Sequence, residues 1–278
     1  MDATTRQPAD PDRTPRVLVR RDTDDAGVVV LTLSDPDRRN AMTLELTRSW
    51  RQALAQVRGD DTVRAVVVMG AGSAFSSGGD LSWLGDDTGP GAPVDDLRRR
   101  MGGYYAEWLA VRDLAVPVVA AVNGPAVGAG VGLLLACDLR VAARSAHLSV
   151  PFTGLGLHPG MGLTHTLVAA VGLTAAQDLL LTGRRVGAEE AQRLGLVTAV
   201  HADDAVLGAA LALARTVAGH APVATRLTVA ALRAGGHADL PSATRWEALA
   251  QSVTLATGDA AEGLRAAAQR RAPRFTGR

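Results

Sequence analysis

The sequence predicts an α/β fold, and three observations predict it. Two short, unbroken apolar runs, at residues 66–69 and 118–122, read as strands buried on both faces. Each run empties into a glycine-rich turn. A capped amphipathic segment lies between an earlier pair of strands and the first run, and strand, helix, strand in that order argues for a right-handed crossover and a stacked architecture.

Taken in order, residues 1–15 are polar, carry three prolines and both charge signs, and lack the apolar segment of a signal peptide. They are expected to form a disordered arm. Residues 17–20 and 28–33 read as two strands joined near Asp25-Ala-Gly27. Thr43 can cap a helix running to about residue 57, with Leu44, Leu46, Trp50 and Leu54 on its core face. After the strand at 64–69 comes a loop rich in Gly, Pro and Asp over residues 85–96. A helix follows from about residue 94 to 114, with Leu97, Met101, Tyr104, Trp108 and Val111 at helical spacing. Beyond the strand at 118–122, small residues open an apolar helix. Residues 139–142 and 148–150 read as short strands, and the loop from Leu155 to Gly162 leads into a helix at about Leu163. From Ala188 the pattern is helical almost to the end, alanine-rich and amphipathic.

Composition excludes several functions. A chain of 278 residues, 47% hydrophobic, can bury a full core. A net charge of +1 offers no electrostatic case for a nucleic-acid partner. The single cysteine, Cys137, lies in an apolar helix, reads as core, and fits a reducing cytoplasm. All 29 basic residues are arginine; with no lysine there is no Schiff base, phosphate-loop lysine or lysine base. Gly-x-Ser-x-Gly and His-Glu-x-x-His are absent, and the six histidines have no metal-ligand spacing. The apolar stretches near 114–122 and 131–137 are interrupted by Pro, Asn and Gly, so neither is expected to span a membrane.

The first glycine-rich turn runs from Gly70 through Gly72 and Phe75 to Gly78, Gly79 and Asp80. One reading is a dinucleotide fingerprint, but Phe75 stands at its third glycine, and Asp86 and Asp87 match its acidic residue only loosely. A second is an oxyanion hole, in which a backbone N–H near Gly79 points at a carbonyl oxygen gaining charge. A third is a tight turn without a ligand. The second turn, from Asn123-Gly124 to Gly130, repeats the plan, and two such turns could give two donors to one oxygen.

Phe75-Ser-Ser-Gly-Gly-Asp-Leu81 together with Asn123-Gly-Pro-Ala-Val-Gly-Ala-Gly130 resembles the paired signature of the crotonase, or enoyl-CoA hydratase/isomerase, superfamily. Arg38-Arg39-Asn40-Ala41-Met42, the segment from Leu181 to Val197, and the C-terminus from Glu262 are similar to further family segments, so the resemblance covers roughly residues 16–278. It implies a ββα spiral core over residues 16–200, with a helical C-terminal extension over 201–278 that makes the contacts of a homotrimer or hexamer. It implies an acyl-CoA thioester as partner, with coenzyme A part of the substrate, no tightly bound cofactor and no metal. By position, the backbone N–H groups of Gly79 and Ala129 match the family's oxyanion donors. Arg38, Arg39, Ala41, Ser76, Ser77, Gly78, Asp80, Leu81 and Gly128 fall on segments that meet coenzyme A or the acyl group. The helix after residue 94 matches a movable wall over the acyl chain.

The acid and base do not carry over. The two hydratase glutamates fall on Gly132 and Phe152, and a third acid position, used by some isomerases and a dehalogenase, falls on Gly160. None can move a proton, so ordinary hydration is not expected. His158 is the nearby ionisable side chain, read either as a general acid/base or as a loop histidine bonded to backbone. Tyr104, Tyr105 and Glu107 on the covering helix are further candidates; Asp80 reads as structural. Four functions remain open: enolate chemistry with displaced proton carriers, anion-stabilised decarboxylation or C–C cleavage, acyl-CoA binding without catalysis, and, outside the family, a nicotinamide-dependent oxidoreductase.

Overall fold

Apolar alternation at the start of the chain builds the edge of the main sheet. Strands β1 (Arg16–Arg21) and β2 (Val28–Ser34) pair antiparallel. The computed structural model describes residues 14–25, 27–80, 82, 89, 91–234 and 239–278. The arm is therefore outside the described residues as far as residue 13, as are Leu81 and most of residues 83–90.

From β2 the chain crosses through α1 (Leu44–Arg58) to β3 (Ala65–Gly70), which lies parallel to β2. Thr43 caps α1 as its sequence predicts, its hydroxyl accepting from Leu46 N at 3.1 Å. Helix α2 (Val94–Leu109) leads to β4 (Val118–Val122), parallel to β3. After the short β5 (Ala126–Val127) and α3 (Ala129–Ala136), β6 (Leu139–Ala143) adds to β4 in parallel. Val66, Val67, Val68 and all of β4 are wholly buried, as unbroken apolar strands require.

A second row of pairings runs beside this sheet. Met42 bridges Gly79 and Ser76 bridges Ala126. Strand β5 pairs with β7 (His147–Ser149), and β7 with β8 (Val186–Gly187). Each pass of the chain leaves one long strand in the sheet, one short strand or bridge in the row, and then a helix. This is the ββα spiral.

Three details differ from expectation. Helix α2 ends at Leu109, and residues Ala110–Asp113 tighten into a 3-10 turn that still buries Val111. Helix α4 (Leu163–Thr182) is broken at Gly172 (φ 77°); by length and composition it could cross a bilayer, a stretch that the apolar-run reading passed over. After α5 (Ala188–Leu194), the chain is not helical throughout. Gly195, in the left-handed region (φ 84°), ends α5, and the β-branched run that follows becomes β9 (Ala199–His201) beside β6. Helix α6 (Val206–Ala218) then packs on β3, β4 and β6, so the sheet's cover includes the first helix past residue 200. Helices α7 (Pro222–Arg233), α8 (Leu240–Leu255) and α9 (Gly258–Gln269) follow.

Arg233 ties the extension to the core. Its guanidinium binds both carboxylate oxygens of Asp138 and donates to the carbonyls of Arg112, Leu114 and Val116. Asp138 in turn accepts from Val118 N at 2.7 Å, at the start of β4. The Arg233 side chain is only 10% exposed. Arg233→Ala leaves these acceptors short of donors, so a loss of about 3 kcal/mol is expected. A thermal melt lowered by several degrees checks this; an unchanged melt contradicts it.

Candidate active site

The glycines of the two turns serve a close backbone contact. A Cβ on Gly70 would lie 2.1 Å from Ala74 O, and one on Gly124 would lie 2.1 Å from Ser73 O. Asn123 joins the turns, its Oδ1 accepting from Gly70 N and its Nδ2 donating to Gly72 O, both at 3.0 Å. Asn40, in the left-handed region (φ 55°), donates from Nδ2 to Ala71 O at 2.9 Å and Ala74 O at 2.8 Å. These contacts also remove the dinucleotide reading. Gly70 N is taken by Asn123 and Ala71 N by Leu33 O, and residues 70–80 form no helix.

The chain then reaches the cleft. Gly78 (φ 92°) presses on the second turn; a Cβ there would lie 2.4 Å from Val127 O and 3.2 Å from Ala129 N. Gly128 (φ 53°) precedes α3, whose first residue is Ala129. Gly79 and Ala129 both line a cleft of about 580 Å³ walled by Met101, Tyr105, Phe152, Leu157 and Met161. Among the described residues neither the Gly79 nor the Ala129 amide has a hydrogen-bond partner. Ala129 N is moreover one of the unpaired donors at a helix start, where the helix dipole favours negative charge.

The expected acid positions are filled by other groups. Gly132 is buried and does not line the cleft; a Cβ on it would lie 2.4 Å from Met161 Cβ. Gly160 does line the cleft, and a Cβ there would lie 2.4 Å from the Tyr105 hydroxyl oxygen. Phe152 lines the wall beside Gly128, its ring 3.5 Å from where a Gly128 Cβ would be. His158 is an exposed lining residue with Nδ1 2.8 Å from Pro159 O. With Nδ1–H donating there, Nε2 is left as the acceptor.

The other candidates have structural partners. The Tyr104 hydroxyl donates to Met42 O at 2.7 Å, and burial raises its pKa. Trp108, one turn on, donates to Thr47 Oγ1 at 2.9 Å and stacks on Trp50. The half of α2 carrying these two residues is thus pinned to α1 and to the residues just before it, and its other half presents Leu97 and Met101 to the cleft. Glu107 pairs with Arg51 at 3.3 Å, away from the lining. Asp80 is held below the usual carboxylate range by the hydroxyl and N–H of Ser82, helped by Arg38 at 3.8 Å. Cys137 is buried, and burial pushes its thiol up to about 12, as a core residue requires.

Among the residues expected to meet coenzyme A, Ser77 and Gly128 line the cleft. Arg38 and Arg39 are exposed and Ala41 half-buried on the loop beside it. Three need correction. Ser76 is wholly buried; its hydroxyl donates to Asn40 O at 2.8 Å and accepts from Gly78 N at 3.1 Å, so it braces the loops. Gly78 is spent on the contact with Val127, and Gly132 lies behind Met161. Sequence reasoning missed Met161 altogether. Its positive φ (56°) is unusual for a side chain of that size, and nothing in its local sequence shows that it faces Gly132.

Comparison with known proteins agrees with this fold. Residues 23–278 match the family described as enoyl-CoA hydratase/isomerase. A Thermus thermophilus protein provisionally named an enoyl-CoA hydratase is 43% identical over 248 residues, 89% of this chain and 97% of that protein. The crystal structure of enoyl-CoA hydratase from Bacillus anthracis superposes with a TM-score of 0.87 at 32% identity, over 95% of this chain and 100% of that one. An enoyl-CoA hydratase from Mycobacterium smegmatis gives a TM-score of 0.85 at 30% identity, over 94% and 99%. The chain therefore belongs to the enoyl-CoA hydratase/isomerase family.

Proposed function

We propose that this protein is a cytoplasmic acyl-CoA enzyme that holds a thioester carbonyl between the N–H groups of Gly79 and Ala129 and stabilises an enolate, without the two-carboxylate chemistry of hydration. The observation that carries this reading is the pair of unpartnered amides, from two turns fastened together, opening on one cleft. Coenzyme A is part of the substrate, Arg38, Arg39 and Ser77 flank its path, and no resident cofactor or metal takes part. His158, with Nε2 free to accept, is the proton carrier. The apolar outer faces of α8 and α9, with Leu249, Val253, Leu255 and Leu264 exposed, support assembly as a trimer or dimer of trimers.

Pro at position 129 suits the first residue of a helix and removes one donor; Gly79→Pro removes the other. Each variant is expected to lower α-proton exchange of butyryl-CoA in D2O by about 10²–10³-fold. Full exchange in a folded variant rules out that donor.

Crotonyl-CoA hydration is expected to be very slow, because each missing acid or base typically contributes about 10²–10⁴-fold. His158→Ala should abolish the residual proton transfer. Vigorous hydration that survives this substitution contradicts both statements.

Gly132→Glu alone should not restore hydration. The new side chain meets Met161 at 2.4 Å, and overpacking of this kind costs about 1–3 kcal/mol. A lowered melt with no gain in crotonyl-CoA turnover is expected, and relief of the melt by adding Met161→Gly, which removes the Cβ that the new side chain meets.

A further inference from the structure

Two adjacent tyrosines on α2 have opposite surroundings. Tyr104 is 6% exposed, and its hydroxyl is satisfied by Met42 O. Tyr105 is only partly buried and lines the cleft, and its hydroxyl has no hydrogen-bond partner among the described residues. That hydroxyl occupies the space a side chain at position 160 would fill. Around it the wall is apolar: Leu97, Met101, Phe152, Leu157 and Met161. Polar side chains on the cleft are few, Ser77, His158 and the Tyr105 phenol among them, and a polar group set among apolar ones fixes the orientation of a ligand and selects one that offers it a partner. An acyl group without an acceptor leaves the phenol unpaired when it covers it, which costs binding.

Resting on the acyl-CoA reading above, we propose that Tyr105 is a specificity-determining hydrogen-bond donor, and that the protein prefers acyl groups carrying an oxygen beyond the thioester carbonyl. Burial raises the pKa of Tyr105, so near neutral pH the phenol keeps its proton and donates. The preferred partner is accordingly an acceptor, a hydroxyl or carbonyl oxygen of the acyl chain. Tyr105 acts here by binding; no proton is transferred.

Calorimetric titration of the full chain with butyryl-CoA, 3-hydroxybutyryl-CoA and 4-hydroxybutyryl-CoA tests this. The native protein should bind at least one hydroxylated thioester about tenfold more tightly than butyryl-CoA, the size of one net hydrogen bond. Tyr105→Phe should erase that preference, weakening the hydroxylated thioester, tightening butyryl-CoA, or both, while the ring and its apolar contacts remain. A Tyr104→Phe control should lower the melt without changing the preference. Equal binding of all three thioesters by the native protein, or a preference that survives Tyr105→Phe, overturns the proposal and leaves the acyl-CoA reading standing. Failure of every thioester to bind overturns both.

Discussion

The arrangement depends on how closely the two turns approach. Strands β3 and β4 are neighbours in a parallel sheet, so their turns leave the same edge together. What brings the turns into backbone contact is the absence of side chains at Gly70 and Gly124, where a Cβ would lie 2.1 Å from a carbonyl oxygen. Asn123 and Asn40 then saturate the carbonyls and amides this contact would leave buried. The donors of the cleft lie just beyond, at Gly79 and Ala129, and inherit their positions from it. Preorganisation of this kind is what makes a donor effective, since no free energy is lost in turning it toward the developing charge.

Much of the fold was legible because its signals are local. Unbroken valine runs mark covered strands, Thr43 marks a helix start, and glycines at strand ends mark turns. What was not legible is non-local. The Ala199–His201 strand is three residues long, and only its place beside β6 makes it a strand. The end of α2 likewise depends on partners elsewhere, including Arg58, whose guanidinium donates to Ala110 O at 2.8 Å. The site divides in the same way. The backbone positions, Gly79 and Ala129, were expected from the resemblance of the two turns to the family's paired signature, and a turn's backbone follows its glycines. The side-chain positions could not. That Gly132 is backed by Met161, and Gly160 by Tyr105, joins residues 29 and 55 positions apart.

Those two contacts change the character of the cleft. A glycine at a position where the family resemblance implies an acid invites the reading of an empty space that water or substrate fills. Here neither space is empty. Met161 closes one with a flexible apolar side chain, a residue suited to irregular gaps. Tyr105 closes the other with a phenol that stays neutral. The two contacts form a consistent set, in which packed, uncharged groups rather than cavities stand beside Gly132 and Gly160.

An uncharged wall has an electrostatic consequence for the proposed chemistry. A carboxylate beside a developing enolate repels it, and is tolerated in a hydratase because it positions water and carries protons. With no carboxylate lining the cleft among the described residues, the two amides and the α3 dipole act on the oxyanion without that opposition. The apolar wall also lowers the local dielectric, which strengthens each donor's pull on the charge. The same wall handles water poorly, since it offers few polar groups to hold a nucleophilic water in place. The balance of these effects favours reactions whose difficulty lies in forming the anion over reactions whose difficulty lies in delivering water to it.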